Sequence, residues 1–119
     1  MILDKPIIAI DFDGTITTGD NRIWKDNTPE NDIFFENLNI TEFIKKYRKE
    51  FYLVLWTCRS KESLEQAISY SKSIGIEFDA INANMSGVFE TSNKIYADFY
   101  LDDKATFNVE DIKHKCKIL

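Results

Sequence analysis

Four apolar residues, Ile7-Ile8-Ala9-Ile10, run without a break into Asp11-Phe12-Asp13-Gly14-Thr15. An uninterrupted, Ile-rich run of this length reads as a strand buried on both faces, which is the habit of parallel sheets. The strand then stops on two carboxylates one residue apart. At a strand's period of two, Asp11 and Asp13 begin on the same side, with Phe12 turned the other way into apolar packing. Gly14 allows a sharp turn and close approach of the backbone to a ligand. Ligands of open α/β sheets bind beyond the carboxyl ends of the strands, where this acidic pair falls.

The rest of the chain follows the same grammar. Residues 16–37 carry turn formers throughout (Gly19, Asp20, Asn21, Asn27, Pro29, Asn31) and no clear period, so a long loop is expected, of the kind that is often functional. Trp24, Phe34 and Phe35 are expected to pin it to the body. Asn39 and Glu42 have the spacing of a helix cap and its third residue, and Ile40, Phe43, Ile44 and Tyr47 share one face of a helix reaching about Lys49. Phe51 to Thr57 reads as a second strand. Ser60 can cap a helix whose buried stripe is Leu64, Ala67, Ile68 and Ser71, and Gly75 ends it. A short third strand is expected within Ile76–Asn82 and a fourth over Tyr96–Leu101, closing on Asp102-Asp103. Residues 84–93 fit a short helix or a loop. Strands alternating with helices give the expected fold: a single three-layer, Rossmann-like α/β domain over residues 1–119, with a mainly parallel sheet and right-handed crossovers.

Composition narrows the function. A chain of 119 residues holds one core and no second domain. The net charge of -5 argues against unaided nucleic-acid binding, so no strong nucleic-acid signature is read. Neither a charged-then-apolar leader nor an apolar run of about 18 residues is present, and no secretory signal or membrane partner is expected. Cys58 and Cys116 lack metal-ligand spacing and read as reduced thiols of a cytoplasmic protein. The single histidine, His114, lies in a lysine-rich tail and reads as solvent-facing, which leaves little for a His-dependent hydrolase or a zinc site.

Three of the expected strands end on polar residues: Asp11 and Asp13, then Thr57 with Arg59 just beyond, then Asp102 and Asp103. Parallel strands bring those ends to one rim. Four carboxylates in one cleft repel each other, and a divalent cation relieves the penalty. Ligands that are all oxygen select Mg2+ over zinc or copper. Thr57 offers a hydroxyl and Arg59 a planar, permanently charged fork suited to phosphate. Carboxylates, magnesium, hydroxyl and guanidinium together describe a phosphoryl-transfer site.

In these motifs the chain resembles the haloacid dehalogenase-like (HAD) hydrolase superfamily. The resemblance runs in order through Asp11-Phe12-Asp13-Gly14-Thr15, Leu53 to Thr57, and Tyr100-Leu101-Asp102-Asp103. It is also similar to small HAD proteins with a Trp-Thr-Cys-Arg stretch, here Trp56 to Arg59. The resemblance implies that Asp11 is a nucleophile forming an aspartyl-phosphate, and that Asp13 is general acid and then base, its backbone carbonyl reaching the metal. It implies that Asp102 completes the Mg2+ site, with Asp103 as a direct or outer ligand, and that Thr57 holds the phosphoryl oxygens. A family lysine or arginine also balances the phosphate charge. Arg59, Lys94 and Lys104 are the candidates, with Arg59 preferred. Lys94 precedes the fourth strand, and a strand starting near Tyr96 would leave it about 17 Å from Asp102 at the opposite edge. Asp98 is expected early in that strand as a structural partner.

Neither 14–51 nor 59–96 has residues to spare for a separate cap, so the chain resembles capless members. Their open site suits a large phosphorylated substrate or a neighbouring copy as lid, a homo-oligomer. The loop bearing Arg22, Trp24 and Lys25 is the candidate for substrate contact, and Asn82 and Asn84 could line the cleft. The leading reading is a magnesium-dependent phosphatase for a phosphate monoester. The alternatives are an inactive HAD-like phosphate-binding or regulatory module and a metal-dependent nuclease. A receiver domain is disfavoured, because no aspartate ends the second or third strand. Asp11→Asn and Asp13→Asn are both expected to abolish turnover and keep the fold, by relieving charge crowding.

Overall fold

The computed structural model describes residues 3–18, 34–88, 94–102 and 116. Its strands are β1 (Ile7–Ile10), β2 (Tyr52–Leu55), β3 (Ala80–Ile81) and β4 (Phe99–Leu101), and its helices are α1 (Leu38–Tyr47) and α2 (Lys61–Ser73). All four strands are parallel and lie in the order β3-β2-β1-β4. β1 is therefore interior, and every one of its residues is buried, as its unbroken apolar run requires. Register pairs Ile10 with Leu55 on one side and with Leu101 on the other.

The two faces of the sheet are covered differently. Ile8, Ile10, Leu53, Leu55 and Leu101 pack against Ile40, Phe43 and Ile44 of α1 and Ala67 of α2. Ile7, Ala9 and Val54 pack instead against Ile95 and Ala97, with Met85 and Tyr100 alongside. Handedness explains the division. The steps β1 to β2 and β2 to β3 run in one direction, so right-handed crossovers place α1 and α2 on the same face. The step from β3 back across to β4 runs the other way, so its connection crosses the opposite face. Among the described residues that connection is irregular chain, and the described helices α1 and α2 both lie on the first face.

Several boundaries differ from the sequence expectation. The cap of α1 is Asn37, not Asn39: its amide Nδ2 donates to Thr15 O at 2.9 Å, and Ile40 and Thr41 N–H donate to its carbonyl. A tertiary bond to the turn after β1 thus starts the helix earlier than the capping pattern suggests. α1 gives way at Arg48–Glu50 to a tighter helical turn. α2 starts after Ser60, where Ser63 Oγ accepts from Ser60 N–H, and its end is turned by Gly75 at φ 91°. β3 is reduced to a pair of residues and β4 begins at Phe99 rather than Tyr96. Asp79 and Asp98, each just before one of these strands, accept the N–H of Leu53 and of Ile7 at 2.8 Å, closing the amino edge of the sheet.

Candidate active site

At the carboxyl edge the residues that follow all four strands stand in a row. Asp11 N–H donates to Leu101 O at 2.9 Å, so Asp11 stands beside Asp102 across the β1–β4 pair. Trp56 N–H donates to Ile10 O at 2.8 Å, which sets Trp56 and Thr57 on the other flank of Asp11. Asn82 completes the row: its N–H donates to Leu55 O, and its Oδ1 accepts the Thr57 N–H at 2.8 Å. The Thr57 hydroxyl oxygen accepts the Arg59 N–H at 3.2 Å, turning the chain into α2.

Asp11 keeps extended backbone (φ -79°, ψ 161°), and its Oδ1 accepts the Phe12 N–H at 2.8 Å. A wide turn, Phe12–Ile16, follows, with Gly14 at φ 81°. That left-handed position suits glycine. Thr17 closes the turn through its N–H and hydroxyl, both donating to Phe12 O. Thr17 then bridges Glu36 in antiparallel fashion, so the long loop is clamped at its base. Glu36 is tied to α1, accepting from the Thr41 hydroxyl and lying 3.3 Å from Lys45 Nζ. Of the expected anchoring aromatics, Phe34 packs edge-on to Phe12 at 5.1 Å, while Phe35 is 64% exposed and ties the loop through its main-chain carbonyl, which accepts the Thr18 N–H at 2.8 Å. Trp24, Arg22 and Lys25 lie outside the described residues, as do Asp103, Lys104 and His114.

The turn also undoes the alternation of Asp11 and Asp13. Asp13 faces the interior on the Phe12 side, where it meets Arg59 from the start of α2. Arg59 Nε donates to Asp13 Oδ2 at 2.8 Å and Nη2 to Oδ1 at 2.7 Å, a bidentate pair with side chains 0% and 7% exposed. Nη1 reaches Ser63 O at 3.3 Å, and the Phe12 and Phe34 rings flank the guanidinium at 5.1 and 5.2 Å. Sequence reasoning had both residues at the cleft but not each other as partners. Such a pair is geometrically specific, and removing one member leaves the other charge buried. In the same turn, the Thr15 hydroxyl is buried without a hydrogen-bond partner.

Lys94 is displaced from where the sequence reading put it. The chain before β4 doubles back instead of extending: the Tyr100 hydroxyl donates to Ile95 O and accepts the Ala97 N–H. Asn84 fastens the same segment, donating to Lys94 O at 3.0 Å and accepting the Tyr96 N–H at 2.6 Å. Lys94 consequently lines a cavity of about 300 Å3 with Trp56, Ile95 and Tyr100, next to the carboxyl rim. Only a hydroxyl on the middle residue of β4 signalled this, and no local pattern marks its partner.

This chain has a structural relative in Bacteroides thetaiotaomicron. The solved structure of a conserved protein from that organism matches 96% of this chain and 91% of its own, with 28% identity and a TM-score of 0.69. The likeness therefore spans the whole sheet and its carboxyl rim. No family model and no curated protein matches the chain.

The rim offers oxygen donors suited to a hard divalent cation, Asp11 and Asp102 side by side. Asp13 holds both carboxylate oxygens on Arg59, so its contribution to such an ion is limited to the main-chain carbonyl. No cluster of three metal-binding side chains stands assembled among the described residues. No described helix is long and apolar enough to cross a membrane.

Proposed function

We propose that the protein is a magnesium-dependent phosphatase of the HAD type, hydrolysing a phosphate monoester through Asp11. The adjacency of Asp11 and Asp102 at the carboxyl rim, joined by the Asp11 N–H to Leu101 O bond, is the observation that carries this reading. The ordered motifs at Asp11–Thr15, Trp56–Arg59 and Leu101–Asp103 support it. Mg2+ held by Asp11, Asp102, the Asp13 carbonyl and Asp103 would screen the charge of the incoming phosphate.

In this reading an Asp11 carboxylate oxygen attacks phosphorus and the bond to the leaving oxygen breaks. For Asp13 to give that oxygen a proton, its carboxyl must first come away from Arg59 and take one up. Water then attacks the aspartyl-phosphate, returning a proton to Asp13 and releasing inorganic phosphate with Asp11 restored. Thr57 steadies the phosphoryl oxygens. Lys94, brought to the rim by the doubled-back segment, replaces Arg59 as the preferred balancing cation, because the Arg59 fork is spent on Asp13.

The buried Asp13–Arg59 pair favours a second reading, a phosphate-binding module with little turnover. Acid–base work requires the Asp13 carboxylate to exchange Arg59 for the leaving oxygen. The two readings separate on phosphate release from 4-nitrophenyl phosphate with Mg2+. The phosphatase reading expects turnover that Asp11→Asn abolishes and that excess chelator suppresses. Equal rates in Asp11→Asn would end the covalent mechanism. Binding of phosphate without turnover would leave the module, and cleavage of diesters but not monoesters would point to a nuclease.

A further inference from the structure

Continuing the β2 alternation places Trp56 on the face of Val54, whose cluster includes Tyr100. The Trp56 and Tyr100 rings meet edge-to-face at 5.5 Å, yet Trp56 remains 45% exposed. That leaves part of a large indole open at the carboxyl rim, in register with Asp11. Asp11, extended and following Ala9, belongs to the same face of the sheet. The cavity of about 300 Å3 bounded by Trp56, Tyr100, Ile95 and Lys94 thus lies on the sheet face that carries the proposed nucleophile, and is at the small end of ligand pockets. Among the described residues its walls are an indole, a phenol ring, an aliphatic side chain and a cation.

We propose that this pocket receives a planar aromatic ring carried by the leaving group, so that the substrate is an aromatic-bearing phosphate monoester rather than a sugar or polyol phosphate. The proposal rests on the phosphatase reading for its reaction but not for its binding. Trp56 and Tyr100 supply faces and edges for a ring, as stacking platforms do for bases, and Lys94 draws the anionic ester to that side of the rim. The pocket has room for one ring system, not for a polymer. A nucleobase and a simple aryl group offer the same chemistry to it.

Matched pairs with the same type of leaving alcohol isolate the ring. Benzyl phosphate is compared with cyclohexylmethyl phosphate, and a nucleoside 5′-monophosphate with ribose 5-phosphate. Wild-type kcat/KM is expected to favour the aromatic member by about tenfold, chiefly through KM. Trp56→Leu should bring the members of each pair within about twofold of each other. Preference within the benzyl pair alone assigns a simple aryl group, and preference within the nucleotide pair assigns a base. Absence of preference in both pairs, or an equal loss for both members in Trp56→Leu, overturns the proposal while leaving the phosphatase standing.

Calorimetric titration with benzylphosphonate against methylphosphonate reads binding without turnover. Tighter binding of the benzyl compound that Trp56→Leu removes supports the pocket even if no hydrolysis is found. Equal binding of the two phosphonates to the wild type refutes it. Should Trp56→Leu lose its thermal transition, Trp56→Met is measured in its place, and the wild-type comparisons stand unaided.

Discussion

Replacing Asp13 by Asn tests the most consequential pairing in the fold. The change keeps the shape of the side chain and removes its charge, taking from the buried Arg59 guanidinium the carboxylate that holds it bidentately. Arg59 is fully buried, so water cannot stand in for the carboxylate. Breaking such a pair by removing one partner costs about 3–5 kcal/mol. Against a total stability of roughly 5–15 kcal/mol, that is a large share. For a domain of this length it corresponds to a fall in Tm on the order of 10–20 °C. Arg59→Leu should cost a similar amount, because it leaves the Asp13 carboxylate stranded and empties the slot between Phe12 and Phe34. The joint Asp13→Leu, Arg59→Met variant should recover most of the loss, since two apolar side chains of similar size carry no desolvation penalty. Urea unfolding followed by circular dichroism compares the three variants with the wild type. An Asp13→Asn protein within about 0.5 kcal/mol of wild type would refute the reasoning. The expectation from sequence, that Asn at both positions relieves charge crowding and keeps the fold, therefore divides: it stands as an expectation for Asp11 and is reversed for Asp13.

Further expectations concern the rim and the clamp of the loop. Lys94→Ala should lower phosphatase kcat/KM by about 10²–10³, the range for losing a group that stabilises transition-state charge, with Lys94→Arg recovering part of it. Thr15→Val should leave stability unchanged or raise it by about 1 kcal/mol in chemical unfolding, because the hydroxyl it removes is buried and unpartnered. The hydrogen bond from Thr41, with Lys45 beside it, holds the Glu36 carboxyl below its ordinary value of 4.5. A lowered pKa in the folded state contributes stability that is fully present above 4.5 and is lost as pH falls through the folded value. Thr41→Val should therefore lower Tm at neutral pH and flatten its decline below pH 4.5, as seen by thermal melts across an acidic series.

Much of the architecture was legible locally. The run Ile7–Ile10 announced a two-sided strand, because a strand at the centre of a parallel sheet has no polar face to show. Ser60 and Gly75 bracketed α2, since a side-chain acceptor and a left-handed turn are requirements of a few residues each. The polar ends of the strands could be placed on one rim from parallel topology alone. What the chain did not disclose locally was which of those groups would hold each other. Asp13 meets Arg59 across 46 positions of sequence. That meeting depends on the turn at Gly14 rotating one carboxylate inward while Asp11 stays with its strand.

Lys94 teaches the same lesson from the other side. Counting extended residues back from Asp102 sent it to the far edge, but β4 starts at Phe99, and the Tyr100 hydroxyl folds the preceding chain over the sheet. Periodicity, capping and composition are written along the chain, so the sequence by itself determined the strands, the helices and their parallel arrangement. Which carboxylate turns inward, and which cation reaches the rim, are settled by burial and by hydrogen bonds between distant segments, and only the assembled fold decides them.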